Sequence, residues 1–529
     1  MNAKVRRRWA ALVGLVSAAA ALAIAELAAL IIAPHSSPVL AIGSVAIDLA
    51  PAWVKDTVIA LFGTGDKVFL LTLLLLVVAV VAAVAGIVEL TRPPWGTVTF
   101  LVLGVVAALA VTTRAQSTWV WVVPTLLGVA GGCIVLRLSI GRLREWSAFT
   151  ARDTQAHADS AQPAAHEAQP SAAPSRRGFL TLLIGTAAAA VVVGVGSRVA
   201  NGMSIAADAV RSAISLPKPA IAAAPIAAES MLDIEGLSPL ITPNADFYRI
   251  DTALQVPTVD PTTWRLRVTG MVENEIELSF DDLLALPLIE TAVTLACVSN
   301  PVGGDLIGNA VWLGYPIHKL LAEAKPLSGA NMVLSRSADG FTAGTPLEIL
   351  QEQDRDSVLA VGMNGEPLPA EHGFPVRMVV PGLFGYVSAT KWVTEMRVTT
   401  FESDRAYWTD RGWSEKGPVK LGSRIDVPSA RASVEAGTVA VAGVAWAQHT
   451  GVQGVEVRID GGPWAPARLS TPISADTWVQ WVYEWDAAAG AHEIEVRATD
   501  SAGQTQGETP VPVVPDGAEG WHRISVTVN

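Results

Sequence analysis

The stretch Val293-Thr294-Leu295-Ala296-Cys297-Val298-Ser299-Asn300 decides how the rest of the chain is read. A β-branched, apolar run ends in a cysteine and passes at once into small, turn-forming residues. That pattern predicts a buried strand whose last residue meets a loop. The chain holds two cysteines, and the other, Cys133, falls in a long apolar segment. Cys297 is therefore the sole thiol of the polar part. It reads either as a small buried hydrophobe or as the reactive group of a loop-lined site.

Composition frames the choice. The 529 residues carry a net charge of −12, and 51% are hydrophobic. A mean hydropathy of +0.40 is too high for a wholly soluble protein. The net acidic balance, with no basic stripe, argues against nucleic-acid binding. Two cysteines cannot build a disulfide framework, so the fold must rest on its core.

Apolar runs near the roughly 20 residues that cross a bilayer lie at about 9–33, 67–90, 96–114 and 117–136. They predict a four-helix membrane region over 1–140, with 38–64 an outer loop carrying a short interfacial helix. Lys4, Arg6, Arg7, Arg8, Arg92, Arg137, Arg142 and Arg144 flank the runs on one side, which the positive-inside rule makes cytoplasmic. Only Arg114 lies on the other. Glu26 and Glu89 sit near span ends, where interfacial solvation accounts for them. The histidine pairs that would ligate haem are missing from these runs, where only His35 occurs; no haem is expected.

Residues 141–177 read as a disordered cytoplasmic linker, rich in Ala, Gln, Pro and Ser and carrying His157 and His166. Ser175-Arg176-Arg177-Gly178-Phe179-Leu180 then opens an apolar stretch over 178–200. It resembles a twin-arginine export signal and is expected to stay as a fifth membrane helix. An Ala/Pro-rich stalk over 201–231 follows. These features place a multi-pass protein in the cell membrane, with its polar domains outside and lipid as a partner.

From Leu232 to Arg424 short strands alternate with Gly/Pro turns and short helices, an α+β domain. Three blocks there are similar to the sulfite-oxidase family of molybdopterin enzymes. They are Thr294 to Asn300, Val361 to Arg377, and Val379-Val-Pro-Gly-Leu-Phe-Gly385 continuing to Lys391-Trp392. The resemblance implies a molybdenum–molybdopterin cofactor with Cys297 as the catalytic metal ligand. A single soft thiolate suffices because the pterin supplies the other sulfurs. It further implies that Tyr248, Arg249, Asp339, His372, Arg377, Ser388, Ala389, Thr390 and Lys391 contact the pterin. Arg377 and Lys391 suit its phosphate, and Gly373, Gly382 and Gly385 would let the backbone approach it. Outside that resemblance, Arg377 could be an ion-paired strand residue and His372 a turn histidine.

Departures from the family pattern bear on the substrate. In Phe247-Tyr248-Arg249-Ile250-Asp251-Thr252 the expected arginine is shifted, and Asp and Thr stand where Asn and His are expected. Between Gly385 and Lys391 the arginine of the anion pocket is missing. Phe341 stands where a tyrosine is expected. Sulfite would need such cations to offset its desolvation.

Residues 425–529 alternate at period two and predict an all-β Ig-like sandwich, which in the family mediates homodimers. Tryptophans 446, 464, 478, 481 and 485 read as its core and edges. The whole predicts an outward-facing, membrane-anchored oxidoreductase that transfers an oxygen atom on a small, sulfur-containing substrate. Electrons would pass to an external carrier. The alternatives are a sulfoxide reductase or a cofactor-free envelope scaffold.

Overall fold

A computed structural model describes the whole chain except residues 1, 33–35, 52–53, 55–56, 59–60, 63–64, 115–116, 160–175 and 203–210. The chain divides into two compact units, residues 1–205 with 253–255, and residues 206–252 with 256–529.

The first unit is helical: α1 (Ala3–Ile32), α2 (Pro38–Leu49), α3 (Asp66–Thr91), α4 (Trp95–Thr112), α5 (Val122–Asp159) and α6 (Arg176–Gly202). Four helices, Ala3–Ile32, Lys67–Thr91, Trp95–Thr112 and Trp119–Thr150, are long and apolar enough to cross a bilayer. The short helix expected after the first span is α2, which Ser37 caps through the Leu40 N–H. Helices α1 and α3 meet backbone to backbone. A Cβ on Gly14 would lie 1.9 Å from the Ala82 carbonyl oxygen, and one on Gly86 2.1 Å from that of Ala10. Such contact is how helices gain packing energy in lipid. Trp9, Trp146 and Phe179 form a ring cluster that ties α6 to α1 and α5.

Two expectations change here. Glu26 and Glu89 are buried, not solvated. Ser37 donates to Glu26 at 2.6 Å, and the Glu89 carboxylate accepts the Thr97 N–H at 2.8 Å, capping the first turn of α4. The stretch expected to be linker from 141 is helical as far as Asp159, because α5 runs that far and carries His157. Ala, Arg, Glu and Gln favour helix, and the first proline after the span is Pro163. The rest of the expected linker, with His166, lies outside the described residues.

The second unit starts with ten strands: β1 (Arg265–Gly270), β2 (Ile276–Ser279), β3 (Ile289–Ala296), β4 (Ile307–Pro316), β5 (Met332–Ser337), β6 (Thr342–Pro346), β7 (Val358–Met363), β8 (Glu366–Pro367), β9 (Arg377–Val379) and β10 (Val393–Thr399). They form two sheets, β2-β1-β10-β5-β6 and β3-β4-β7-β8, with β9 on β7. Helix α7 (Phe280–Ala285) opens on a capping box between Ser279 and Asp282. Helix α8 (Ile317–Ala324) follows β4 and buries Ile317, Leu320 and Leu321.

Residues 201–231 are not a free stalk over their described part. The Ala220 N–H donates to the Leu288 carbonyl and the Glu290 N–H to that of Ile221, so the segment caps an otherwise open end of the β3 edge. Backbone groups on a buried edge need partners, and the preceding chain supplies them.

The C-terminal part holds β11 (Gly422–Val427), β12 (Ser433–Val434), β13 (Gly437–Trp446), β14 (Val452–Ile459), β15 (Ala465–Pro466), β16 (Arg468–Leu469), β17 (Val479–Ala487), β18 (Gly490–Asp500) and β19 (His522–Val528). Two sheets, β11-β13-β17-β16 and β12-β19-β18-β14-β15, face each other across Val441, Val457, Trp481, Val496 and Ile524. This is the expected sandwich. Trp481 and Trp485 belong to its core. Trp478 packs into the core of the preceding domain instead, and Trp464 pairs edge-on with Trp521.

Gly86→Leu should therefore wedge α1 from α3 and cost about 1–3 kcal/mol or more. Thermal unfolding of the detergent-solubilised chain checks this; an unchanged midpoint would mean the crossing is loose.

Candidate active site

Strand β3 delivers Ala296 to the edge of a tight turn, and Cys297 is the first residue beyond it. The Cys297 N–H donates to the Leu306 carbonyl, and the Asn300 N–H donates back to the Cys297 carbonyl. Asn300 Oδ1 accepts the Leu306 N–H at 2.9 Å and closes the turn. The thiol is 9% exposed. Burial pushes its pKa up, while the Ser299 N–H, 3.4 Å from the sulfur, and the charge of Lys391 act against that.

Tyr248 and Arg377 share this neighbourhood. The Tyr248 ring stacks on Phe247 with centroids 5.3 Å apart. Burial raises the Tyr248 phenol, the nearby Cys297 raises it further, and Arg377 opposes them. Tyr248 therefore keeps its proton at any physiological pH. Arg377, on β9, is 5% exposed. Its Nη1 donates to the His372 carbonyl at 3.1 Å and its guanidinium lies 5.0 Å from the Trp312 ring centre. No carboxylate pairs with it among the described residues. Burial brings its pKa down to about 10.

His372 ends the 3-10 turn Ala370–His372 and is 2% exposed. Its Nε2 lies 3.1 Å from the Asn244 carbonyl. A carbonyl only accepts, so Nε2 carries the proton. Burial and then the Arg377 charge lower its pKa to about 4. The next residue, Gly373, has φ +115°, and a Cβ there would meet Arg377 Cβ at 2.9 Å and Lys391 Cα at 3.2 Å. Glycine is needed here because the chain's own two cation-bearing segments press against it.

Lys391 donates to Asp251 Oδ2 at 2.7 Å and to the Glu371 carbonyl at 3.0 Å. Burial lowers it to about 8, against the pull of Asp251. Asp251 also takes the Arg249 Nε at 2.9 Å. The Asp339 carboxylate accepts the Phe341 N–H at 3.2 Å. Burial raises its pKa, and Asp251 and Lys391 both act on it. Asp339, Asp251, Lys391 and Arg249 thus form a second charged group beside the first.

Ser388 and Thr390 were expected to face the pterin, but their hydroxyls are engaged elsewhere. Ser388 donates to the Phe384 and Leu383 carbonyls, and Thr390 pairs with Ser335 at 2.7 Å. Ala389 offers no polar side chain, and its N–H donates to the Gly385 carbonyl. The segment supplies no cation either. Val387 is buried, and the Tyr386 hydroxyl donates to the Ser414 carbonyl at 2.8 Å. Asp251 was noted in the sequence only as a departure; its signal was a lone acid among Ile250, Thr252 and Ala253. Trp312, under Arg377, carried no signal.

A profile of the molybdopterin-binding oxidoreductase domain matches residues 253–408, and one of a bacterial Ig domain matches 423–496. Mouse mitochondrial sulfite oxidase is 31% identical over 54% of this chain and 62% of its own length. The chicken sulfite oxidase is 30% identical over 52% of this chain and 69% of its own. The chain belongs to the sulfite-oxidase family. An uncharacterized oxidoreductase of Bacillus subtilis is 34% identical over 30% of this chain and 76% of its own. The sulfane dehydrogenase SoxCD of Paracoccus pantotrophus is 25% identical over 51% of this chain and 75% of its own, with a TM-score of 0.46. The chain spans 62% of the length of its mammalian relatives.

Membership in this sulfite-oxidase family makes molybdenum–molybdopterin the cofactor, and the donor set fits it. A buried guanidinium without an acid is costly unless an anion answers it. The buried thiol of Cys297, which feels the Lys391 charge, suits a soft metal.

His372 gives a pH signature in the cofactor-free protein. Its folded pKa, about 4, lies below the ordinary 6.5. Between these values the unfolded chain binds more protons, so stability falls as pH drops from 6.5 to 4 and levels below that. The loss should approach about 3 kcal/mol. Urea unfolding across this range, compared with His372→Asn, should show the variant's profile flatter; equal slopes would refute the assignment.

Proposed function

We propose that the chain is a membrane-anchored molybdenum oxidoreductase, its second unit on the extracytoplasmic side, that moves an oxygen atom to or from a small sulfur compound. The observation that carries this reading is the buried thiol of Cys297 near Tyr248, together with a buried Arg377 near Tyr248 that pairs with no carboxylate among the described residues. The basic flanks of the apolar helices support the sidedness, and Phe179 packed against Trp9 and Trp146 supports retention of α6 as an anchor.

Cys297 would ligate the metal, while Arg377, Lys391, His372 and Asp339 would hold the pterin and its phosphate. The bound cofactor supplies an oxygen-transfer centre that takes up or releases two electrons. In the oxidative direction one water gives its oxygen to the substrate, and two protons and two electrons leave. In the reductive direction an S-oxide loses its oxygen as water. Tyr248, held protonated, can donate a hydrogen bond to an oxygen near the sulfur ligand. His372 stays neutral and ties the 244–248 loop in place. Arg377 keeps its charge throughout.

Electrons would pass singly to or from a separate carrier, and the C-terminal sandwich would mediate any homodimer. A second reading, reduction of a neutral S-oxide, draws support from Asp251. It takes up Lys391 and Arg249, which leaves Arg377 the one buried site cation without an acid among the described residues.

Cys297→Ser should lose oxygen-transfer activity and change the metal's spectroscopic signature, while the pterin's own sulfurs keep molybdenum in the chain. Metal analysis of chain from a molybdenum-replete host, with sulfite and methionine sulfoxide assayed against an artificial mediator, checks this. Wild-type chain without molybdenum would overturn the reading.

A further inference from the structure

Thr294 lies three residues before the thiol and is 0% exposed. It faces Asn309 of β4, and its hydroxyl donates to Asn309 Oδ1 at 3.1 Å. Its remaining partners come from the Ig-like part, nearly two hundred residues later. Its N–H donates to the Asp476 carbonyl at 3.0 Å. Its hydroxyl accepts the Trp478 N–H at 2.8 Å, and its carbonyl accepts Gln448 Nε2. Trp478 Nε1 reaches on to the Leu240 carbonyl at 2.8 Å, which also accepts from Asn309 Nδ2 at 2.9 Å.

The two loops that supply these groups brace each other. The His449 N–H donates to the Ala475 carbonyl at 3.1 Å. Asp476 N–H and Thr477 Oγ1 both bond Ser474, which closes the 474–477 turn. The outer edge of β3 is therefore completed midway by loops of another domain. No comparable clamp is needed to bury Thr294, since an apolar residue would pack there.

We infer that the Ig-like part positions the molybdenum ligand: the 448 and 474–478 loops clamp Thr294 and so fix where β3 presents Cys297. The inference rests on Cys297 being the ligand. Thr294, Gln448 and Asp476 are positioning residues, since they act on the metal only through the strand. Ligand geometry is commonly held by such outer partners, whose loss costs roughly 10- to 100-fold in metal affinity or activity. A metal site must be held within about 0.5 Å to work.

The test uses the full-length chain from a molybdenum-replete host. Thr294→Val keeps shape and removes the hydroxyl, Thr294→Ser restores it, and Gln448→Leu loosens the clamp from the far side. We expect Thr294→Val and Gln448→Leu to lower oxygen-transfer activity per bound molybdenum several-fold and to shift the Mo(V) electron paramagnetic resonance signal. Thr294→Ser should recover both. Wild-type activity and an unshifted signal in Thr294→Val would overturn the inference. If that variant does not fold, Gln448→Leu decides by the same two readouts. A Cys297→Ser chain with wild-type activity and an unchanged Mo(V) signal would instead refute the ligand assignment, and so keeps the two failures apart.

Discussion

The desolvated positive charge behind the thiol is the constraint on which the site depends. Arg377, Lys391 and His372 converge around Gly373, and burial makes all three less basic than in water. The chain meets this in three different ways. His372 gives up its charge, Lys391 takes Asp251, and Arg377 keeps its charge against the face of Trp312. A site arranged so is strained by electrostatics until an anion arrives, and a phosphorylated, sulfur-rich cofactor is such an anion.

The same physics shapes the framework. β9 is three residues long and pairs only with β7, yet it places a buried Arg377 opposite Ala360 of that strand. The turn that carries His372 and Gly373 brings the Lys391 segment to within van der Waals distance of that strand. Short elements suffice because each is pinned from both sides. The thiol turn is likewise closed by Asn300, and its strand by loops from the sandwich.

Much of this was legible in the sequence. The apolar runs, the cysteine strand and the period-two strands are local patterns, and they fold as their patterns require. What escaped is non-local. Asp251 meets Lys391 across 140 positions, and nothing near Asp251 in the chain announces that pairing. Ser388 and Thr390 have residue types suited to a pterin, but nearby carbonyls and Ser335 claim their hydroxyls first. The segment before Leu232 reads as a stalk from its Ala and Pro content, yet the β3 edge has hydrogen-bonding groups that recruit it. Trp478 follows the sandwich's alternation and still leaves it, because Leu240 offers its indole an acceptor.

The long reach of the Thr294 contacts also orders events during synthesis. The strand that presents Cys297 is translated well before Gln448 and Asp476, and until those residues emerge the part of its outer edge around Thr294 has no partner. A nascent chain would therefore hold an unfinished ligand strand until a residue 154 positions after Thr294 has been added. If the clamp positions the ligand, a product truncated before Gln448 would present Cys297 on a strand left open at Thr294.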